Sequence, residues 1–278
     1  MAKRYDCDAV VARLKGEIAR KRAILLVGVG NGIVAKMCEL GGVDLIATYI
    51  MARYRMAGHS SMLGYLSIGD ANAVALELGE REVIPVVKEV PVIAGLLACD
   101  VTRDLGFLLD QVKQVGFSGV HNCPTLALVD GTFRQVLEET GVSFEREVEM
   151  VRLARERNLF CEVFVTNAEE TEKMVKAGAN LIIAHMGNSL GGTTGSAITL
   201  TLDQAVQRTQ AVINAARAVN PEVLTMCHGG PIAYLDDFKY VLARVKGLDG
   251  FMGGSSVERI PVEKSLLETV QQYKSVSL

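Results

Sequence analysis

Eight short apolar runs, interleaved with stretches of helical periodicity, limit what this chain can fold into. The runs are AILLV (23–27), VDLIATY (43–49), VIAGLLAC (92–99), FSGVHNC (117–123), FCEVFVT (160–166), NLIIAHM (180–186), EVLTMCH (222–228) and LDGFMGG (248–254). They are mostly continuous, as strands buried on both faces should be. Between and after them, stretches such as 69–80, 103–116, 145–158, 168–178, 203–219, 234–247 and 262–274 repeat apolar residues at three and four, the period of a helix with one buried face. An eightfold βα alternation in 278 residues matches one parallel barrel, which takes ~250 residues. The expected fold is therefore α/β, a (β/α)8 TIM barrel forming a single domain over 1–278, in preference to an open doubly wound sheet.

Local signals agree with this segmentation. Gly41, Gly116, Gly178 and Gly247 stand just past helical stretches, where a left-handed residue ends a helix. Thr201 with Gln204 makes a capping box. The amphipathic stretch DAVVARLKGEIARKR (8–22) precedes the first strand and is expected to be an N-terminal helix capping the barrel's lower end.

A net charge of −3 offers no basic surface, so no nucleic-acid partner is expected. The apolar runs fall short of a ~20-residue span and the amino terminus is charged, so no membrane partner and a cytoplasmic compartment are expected. Six cysteines form no CxxC pair. Cys99, Cys123, Cys161 and Cys227 lie within the predicted strands and read as reduced core thiols.

Side chains from distant sequence converge where the strands of such a barrel end, and the histidines fall there. His121, His185 and His228 close runs four, six and seven, and His59 lies in the long segment after run two. Imidazoles suit acid–base work near neutral pH. Asp100, after run three, is a candidate acid, base or metal ligand. Arg53 and Arg55, in the segment 49–65, suit a carboxylate or phosphate, although an arginine there is also an ordinary surface residue. Two glycine loops, CHGGP (227–231) and GGSSVER (253–259), follow runs seven and eight, where barrels commonly bind phosphate. Gly229, Gly230, Gly253, Gly254, Ser255 and Ser256 are the candidates for that contact; tight turns alone would also use such glycines. The stretch 187–196 reads equally as a lid or as a connector. Glu162, inside run five, would be costly to bury unpaired.

Other chemistries are disfavoured. GVGNG (28–32) lacks the last glycine of a dinucleotide fingerprint and reads as a rim turn. No lysine ends a predicted strand, which argues against a Schiff-base aldolase. His121, His185 and Asp100 would be the ligands of a single divalent metal, but no local spacing marks them.

The segments 53–77, 119–154, 182–197, 227–233 and 250–263 closely resemble the phosphoenolpyruvate hydrolase-like family of TIM barrels. That family is also described as TIM-barrel signal transduction proteins and is similar to the carboxyl-terminal domain of a plant tobamovirus-resistance protein. It resembles the phosphoenolpyruvate mutase and isocitrate lyase group, which implies a magnesium ion held by carboxylates on strands three and four and an enolate of a keto acid. Here run three has no Asp-x-Asp pair and run four ends His-Asn instead of Glu-Asp, leaving Asp100 as the substitute carboxylate.

The resulting expectation is an enzyme, a hydrolase or lyase acting on a small phosphorylated or carboxylated acid such as phosphoenolpyruvate. Gly229, Gly230, Gly253, Gly254 and Ser255 would hold phosphate, Arg53 and Arg55 a carboxylate, and His185, His228, His121 and Asp100 the protons. The competing class is a non-catalytic sensory barrel that binds a small anionic metabolite. The apolar helix near the carboxyl end (LLETVQQY) suits either exchange between subunits of a homo-oligomer or packing on its own barrel.

Overall fold

In the computed structural model, which describes residues 2–197 and 200–278, eight parallel strands close into a barrel. They are β1 (Ile24–Val29), β2 (Leu45–Thr48), β3 (Val92–Gly95), β4 (Gly119–His121), β5 (Phe160–Val165), β6 (Leu181–His185), β7 (Leu224–His228) and β8 (Gly250–Gly253). Each pairs with the next and β8 returns to β1, with Leu26 opposite Met252. Successive strand side chains point to opposite faces, so continuous apolar runs supply two cores. Leu26, Leu45, Phe160, Ile183 and Met226 fill the barrel, while Val27, Ile46, Val163, Ile182 and Cys227 face the helices outside.

The helix Cys7–Ala19 starts at Asp6, whose carboxylate accepts the Ala9 N–H at 2.8 Å, and it closes the lower end as expected. Its Cys7, Val10 and Leu14 are buried with Ile24, Leu181 and Leu224. The Thr201–Gln204 capping box opens the helix Leu202–Val219. Gly116, Gly178 and Gly247 take positive φ. Gly41 does not: it ends the helix Gly32–Leu40 at φ −78°, and the left-handed residue is Gly42.

One segment differs from expectation, and two others take forms that the sequence left open. Leu96–Cys99 is not strand, because the side chain of Asn72 takes over the backbone there, accepting from Leu97 N–H at 2.9 Å and donating to its carbonyl. Cys99 therefore lies beyond the end of β3, and Cys123 lies beyond the end of β4, although both are buried. The segment after β2 is ordered as the helix Ile50–Met56 and a 3-10 turn over Ser61–Tyr65. The last helix, Arg259–Lys274, buries only Arg259 and leaves its own barrel, exposing Leu266, Leu267, Val270 and Tyr273. Leu25, Val34, Met37 and Val43 line the open groove beside its first turn. No described helix is long and apolar enough to cross a membrane.

Candidate active site

β6 and β7 end together, with His185 opposite His228 in register. Their rings meet edge-on, centroids 4.7 Å apart. Phe164 of β5 lies beneath both, edge-on to His185 at 4.4 Å and stacked on His228 at 5.0 Å. The two histidines line a cavity of about 490 Å3, counting its open mouth, together with Tyr49, Arg55, Ser189, Gly254 and Ser255.

Backbone contacts set opposite tautomers on the two rings. The Gly187 N–H donates to His185 Nδ1 at 2.9 Å, so that nitrogen is bare and Nε2 carries the hydrogen. His228 Nδ1 lies 2.8 Å from the Met252 carbonyl, which can only accept, so Nδ1 is protonated and Nε2 is bare. Burial, reinforced by Arg55, pushes His228 down to about 4 despite the Met252 bond. Burial and the neighbouring imidazoles hold His185 well below the usual value. At neutral pH the pair therefore offers one donor and one acceptor, both uncharged.

Arg55 reaches the cavity from the helix Ile50–Met56. Its Nε donates to Glu258 at 2.7 Å and its Nη2 to the Gly28 carbonyl at 2.8 Å. Glu258 also accepts the Gly30 N–H at 2.6 Å. Burial opposes the charge on Arg55, but Glu258 holds it firmly protonated. Arg53 does not share this site. Residues two apart on a helix point ~200° apart, and Arg53 pairs outward with Glu82 at 2.7 Å.

His121 lies a layer deeper and does not line the cavity, because Phe164 stands between it and the upper pair at 4.3 Å. Its Nδ1 donates to the Glu162 carbonyl at 3.3 Å. Among the described residues, His121 Nε2 and both Glu162 carboxyl oxygens are buried without a hydrogen-bond partner. Burial pushes His121 down to about 3 and Glu162 well above the usual carboxylate range. Both are neutral.

Asp100 is also apart from the histidines. It bonds Arg103 at 2.5 Å and Thr102 N–H at 2.9 Å. Burial would raise its carboxyl, but those bonds hold it below its ordinary value. His59 is exposed on the turn after the helix Ile50–Met56.

The glycine loops divide by role. A Cβ on Gly229 would fall 2.2 Å from the Gly187 carbonyl oxygen, and one on Gly230 2.4 Å from that of Met186. These two let the loops after β6 and β7 pack together, and the Gly230 N–H is already given to Gly187 at 2.8 Å. At Gly253 the Val257 side chain occupies the corresponding space. Gly254 is different: its missing Cβ leaves room between His228 and Arg55, and Ser255 lines the cavity beside it. Ser256 does not line it, and its Oγ is buried with no partner among the described residues. The expected cradle thus shrinks to Gly254 and Ser255, with Gly187, Asn188 and Ser189 contributed instead by the stretch after β6. That stretch is tied down through Leu190 N–H to Gly230 at 3.1 Å and Arg259 to the Gly191 carbonyl at 2.9 Å.

Tyr49, Phe164, Glu258 and Ser189 were not singled out by sequence reasoning. GVGNG held the one usable signal: a Cβ on Gly28 would collide with the Tyr49 hydroxyl, so that glycine makes room for an aromatic ring. Gly28 and Val29 belong to β1, and the turn begins only at Gly30.

The cavity does not fit magnesium, which prefers hard oxygen donors. Among the described residues no aspartate or glutamate lines it. Asp100 is committed to Arg103, and Asn122 donates to Glu147 at 2.6 Å. Among the described residues no three His, Cys, Asp or Glu side chains group to hold a metal, so His121, His185 and Asp100 do not form the expected ligand set.

Known proteins share the fold that carries this site. The chain is 45% identical over 269 residues to the ToMV susceptible protein tm-1(GCR26) of Solanum lycopersicum, covering 97% of this chain and 36% of that protein. The chain thus spans about a third of the length of this relative. A solved phosphonopyruvate hydrolase superposes with a TM-score of 0.61 at 15% identity, covering 99% of this chain and 87% of the other. A phosphonopyruvate hydrolase in complex with oxalate and Mg++ gives 0.57 at 12%, covering 95% and 88%. At such identities the likeness is one of fold. A family model described as phosphoenolpyruvate hydrolase-like matches residues 9–276, and the chain belongs to that family.

Proposed function

We propose that the chain is an enzyme that transforms a small carboxylated or phosphorylated acid, of the phosphoenolpyruvate or keto-acid kind, at the carboxyl-terminal rim of its barrel. The observation that carries this reading is one cavity bringing together a pinned guanidinium, a neutral imidazole donor and a neutral imidazole acceptor. Arg55 supplies the charge for an anionic group, Gly254 and Ser255 the close approach, and the two histidines the means to move a proton. The named activity of the fold relatives, phosphonopyruvate hydrolysis, belongs to the same chemical class. A second reading, an anion-binding sensory barrel without turnover, is favoured by the lack of any carboxylate lining the cavity.

The test is a panel of phosphoenolpyruvate, phosphonopyruvate, oxaloacetate and pyruvate, followed for phosphate release and keto-acid formation with and without magnesium, manganese or zinc. Calorimetry on Gly254→Val accompanies it. A Cβ there would lie 3.3 Å from His228 Cε1 and 3.4 Å from Arg55 Nη1, so a branched side chain fills the anion's place. Binding of millimolar strength, about −4 kcal/mol, should vanish in that variant while its melting temperature stays near that of the parent. Turnover of a panel member supports the enzyme. Silence across the panel with ligand-induced stabilisation leaves the sensory barrel, and no binding at all sinks both readings.

A further inference from the structure

We propose that His228 and His185 move a proton at the carbon next to a carbonyl without any divalent metal, His228 Nε2 acting as the base and His185 Nε2–H as the electrophile. The proposal rests on the reading of the cavity as an active site and adds to it a mechanism and a narrower substrate class, a monoanionic 2-keto acid.

The tautomers assign the roles. The Gly187 N–H on His185 Nδ1 directs the His185 hydrogen to Nε2, and the Met252 carbonyl on His228 Nδ1 leaves His228 Nε2 as a lone-pair donor. A neutral imidazole N–H can polarise a carbonyl as a metal ion does. The fixed charges limit the ligand's charge: Arg55, partly offset by Glu258 behind it, is the one charged side chain that lines the cavity among the described residues, and both imidazoles are neutral. Such a site suits one carboxylate better than a phosphate dianion.

With that carboxylate against Arg55 and Gly254, the carbonyl oxygen takes the hydrogen bond from His185 Nε2. The C–H bond on the neighbouring carbon then breaks toward His228 Nε2. Its electron pair becomes the new C=C bond, and the carbonyl π pair moves onto oxygen, where the His185 N–H stabilises the enolate. The proton rests on His228, whose imidazolium is supported at Nδ1 by the Met252 carbonyl. Exchange of that proton with solvent and its return to carbon restores the keto acid, so atoms and charge balance with no co-reactant. Phe164 packs against both rings, and such apolar cover strengthens the hydrogen bonds they make.

Two measurements on the full chain test this. Nitrogen-15 NMR of the resting protein should show His228 protonated at Nδ1 and His185 at Nε2, with each ring assigned by its asparagine variant. Proton NMR of pyruvate in deuterated water with EDTA should show its methyl protons exchanging faster than in buffer, and His228→Asn should slow this by ~10²–10⁴-fold. Reversed tautomers overturn the proposal. Exchange that appears only when magnesium or manganese is added also overturns it, while leaving the enzyme reading intact. Pyruvate that binds by calorimetry but never exchanges, with or without metal, overturns it in favour of a binding barrel.

Discussion

His121 and Glu162 are register partners on β4 and β5, both fully buried. Burial raises the Glu162 carboxyl well above its ordinary value, so the folded chain keeps a proton that the unfolded chain releases above about pH 4.3. The stability this group contributes is complete below the unfolded value. As pH climbs from there toward the folded value it is lost, at about 1.4 kcal/mol for each pH step of one. Glu162→Gln removes the titration and keeps the shape. The variant should therefore gain on the parent between pH 5 and pH 8 in thermal melts, and a pH-independent difference would contradict a neutral Glu162. His121 acts with the opposite sign: pushed down to about 3, it destabilises the fold as pH falls below about 6.5. At this scale the sequence was legible where residue type and strand end coincide, as at His185 and His228. It could not separate Arg55 from Arg53, because which one turns inward depends on the phase of a seven-residue helix.

Between elements, the Arg55–Glu258 pair fastens the helix Ile50–Met56 to the turn after β8, and Gly30 N–H ties β1 to the same carboxylate. Glu258→Ala leaves a buried guanidinium unopposed, which should lower unfolding stability by ~3–5 kcal/mol in urea melts and weaken ligand binding. A loss under about 1 kcal/mol would mean that water reaches Arg55. The strands were readable because both of their faces are apolar. Run three was overread because Leu96–Cys99 is just as apolar, and only the Asn72 side chain, 24 residues earlier than Leu96, diverts it. The segment after β2 hid its helix because Ile50, Met51 and Ala52 are all buried, leaving no polar face to show a period.

For the whole molecule, closure was legible in the count of eight runs. The departure of the last helix was one of two readings left open, since the spacing of Leu266, Leu267 and Val270 suits a helix packed on its own barrel equally well. Those residues are about 60% exposed and an apolar groove lies open beside Met37. Self-association through this face is the expected outcome, and sedimentation should give a multiple of 29.9 kDa. Replacing Leu266, Leu267 and Val270 with lysine should return a folded monomer; a monomeric parent would refute this.

The tether between that helix and the rim carries a further consequence. Arg259 and Glu263, in its first turns, hold Gly191 and Thr193, which continue from the cavity-lining Asn188 and Ser189. If a neighbour's groove seats the helix, mass action reaches the cavity: dilution loosens the helix, then the tether, then the loop. Specific activity would then rise with protein concentration, so that each subunit senses how many others surround it.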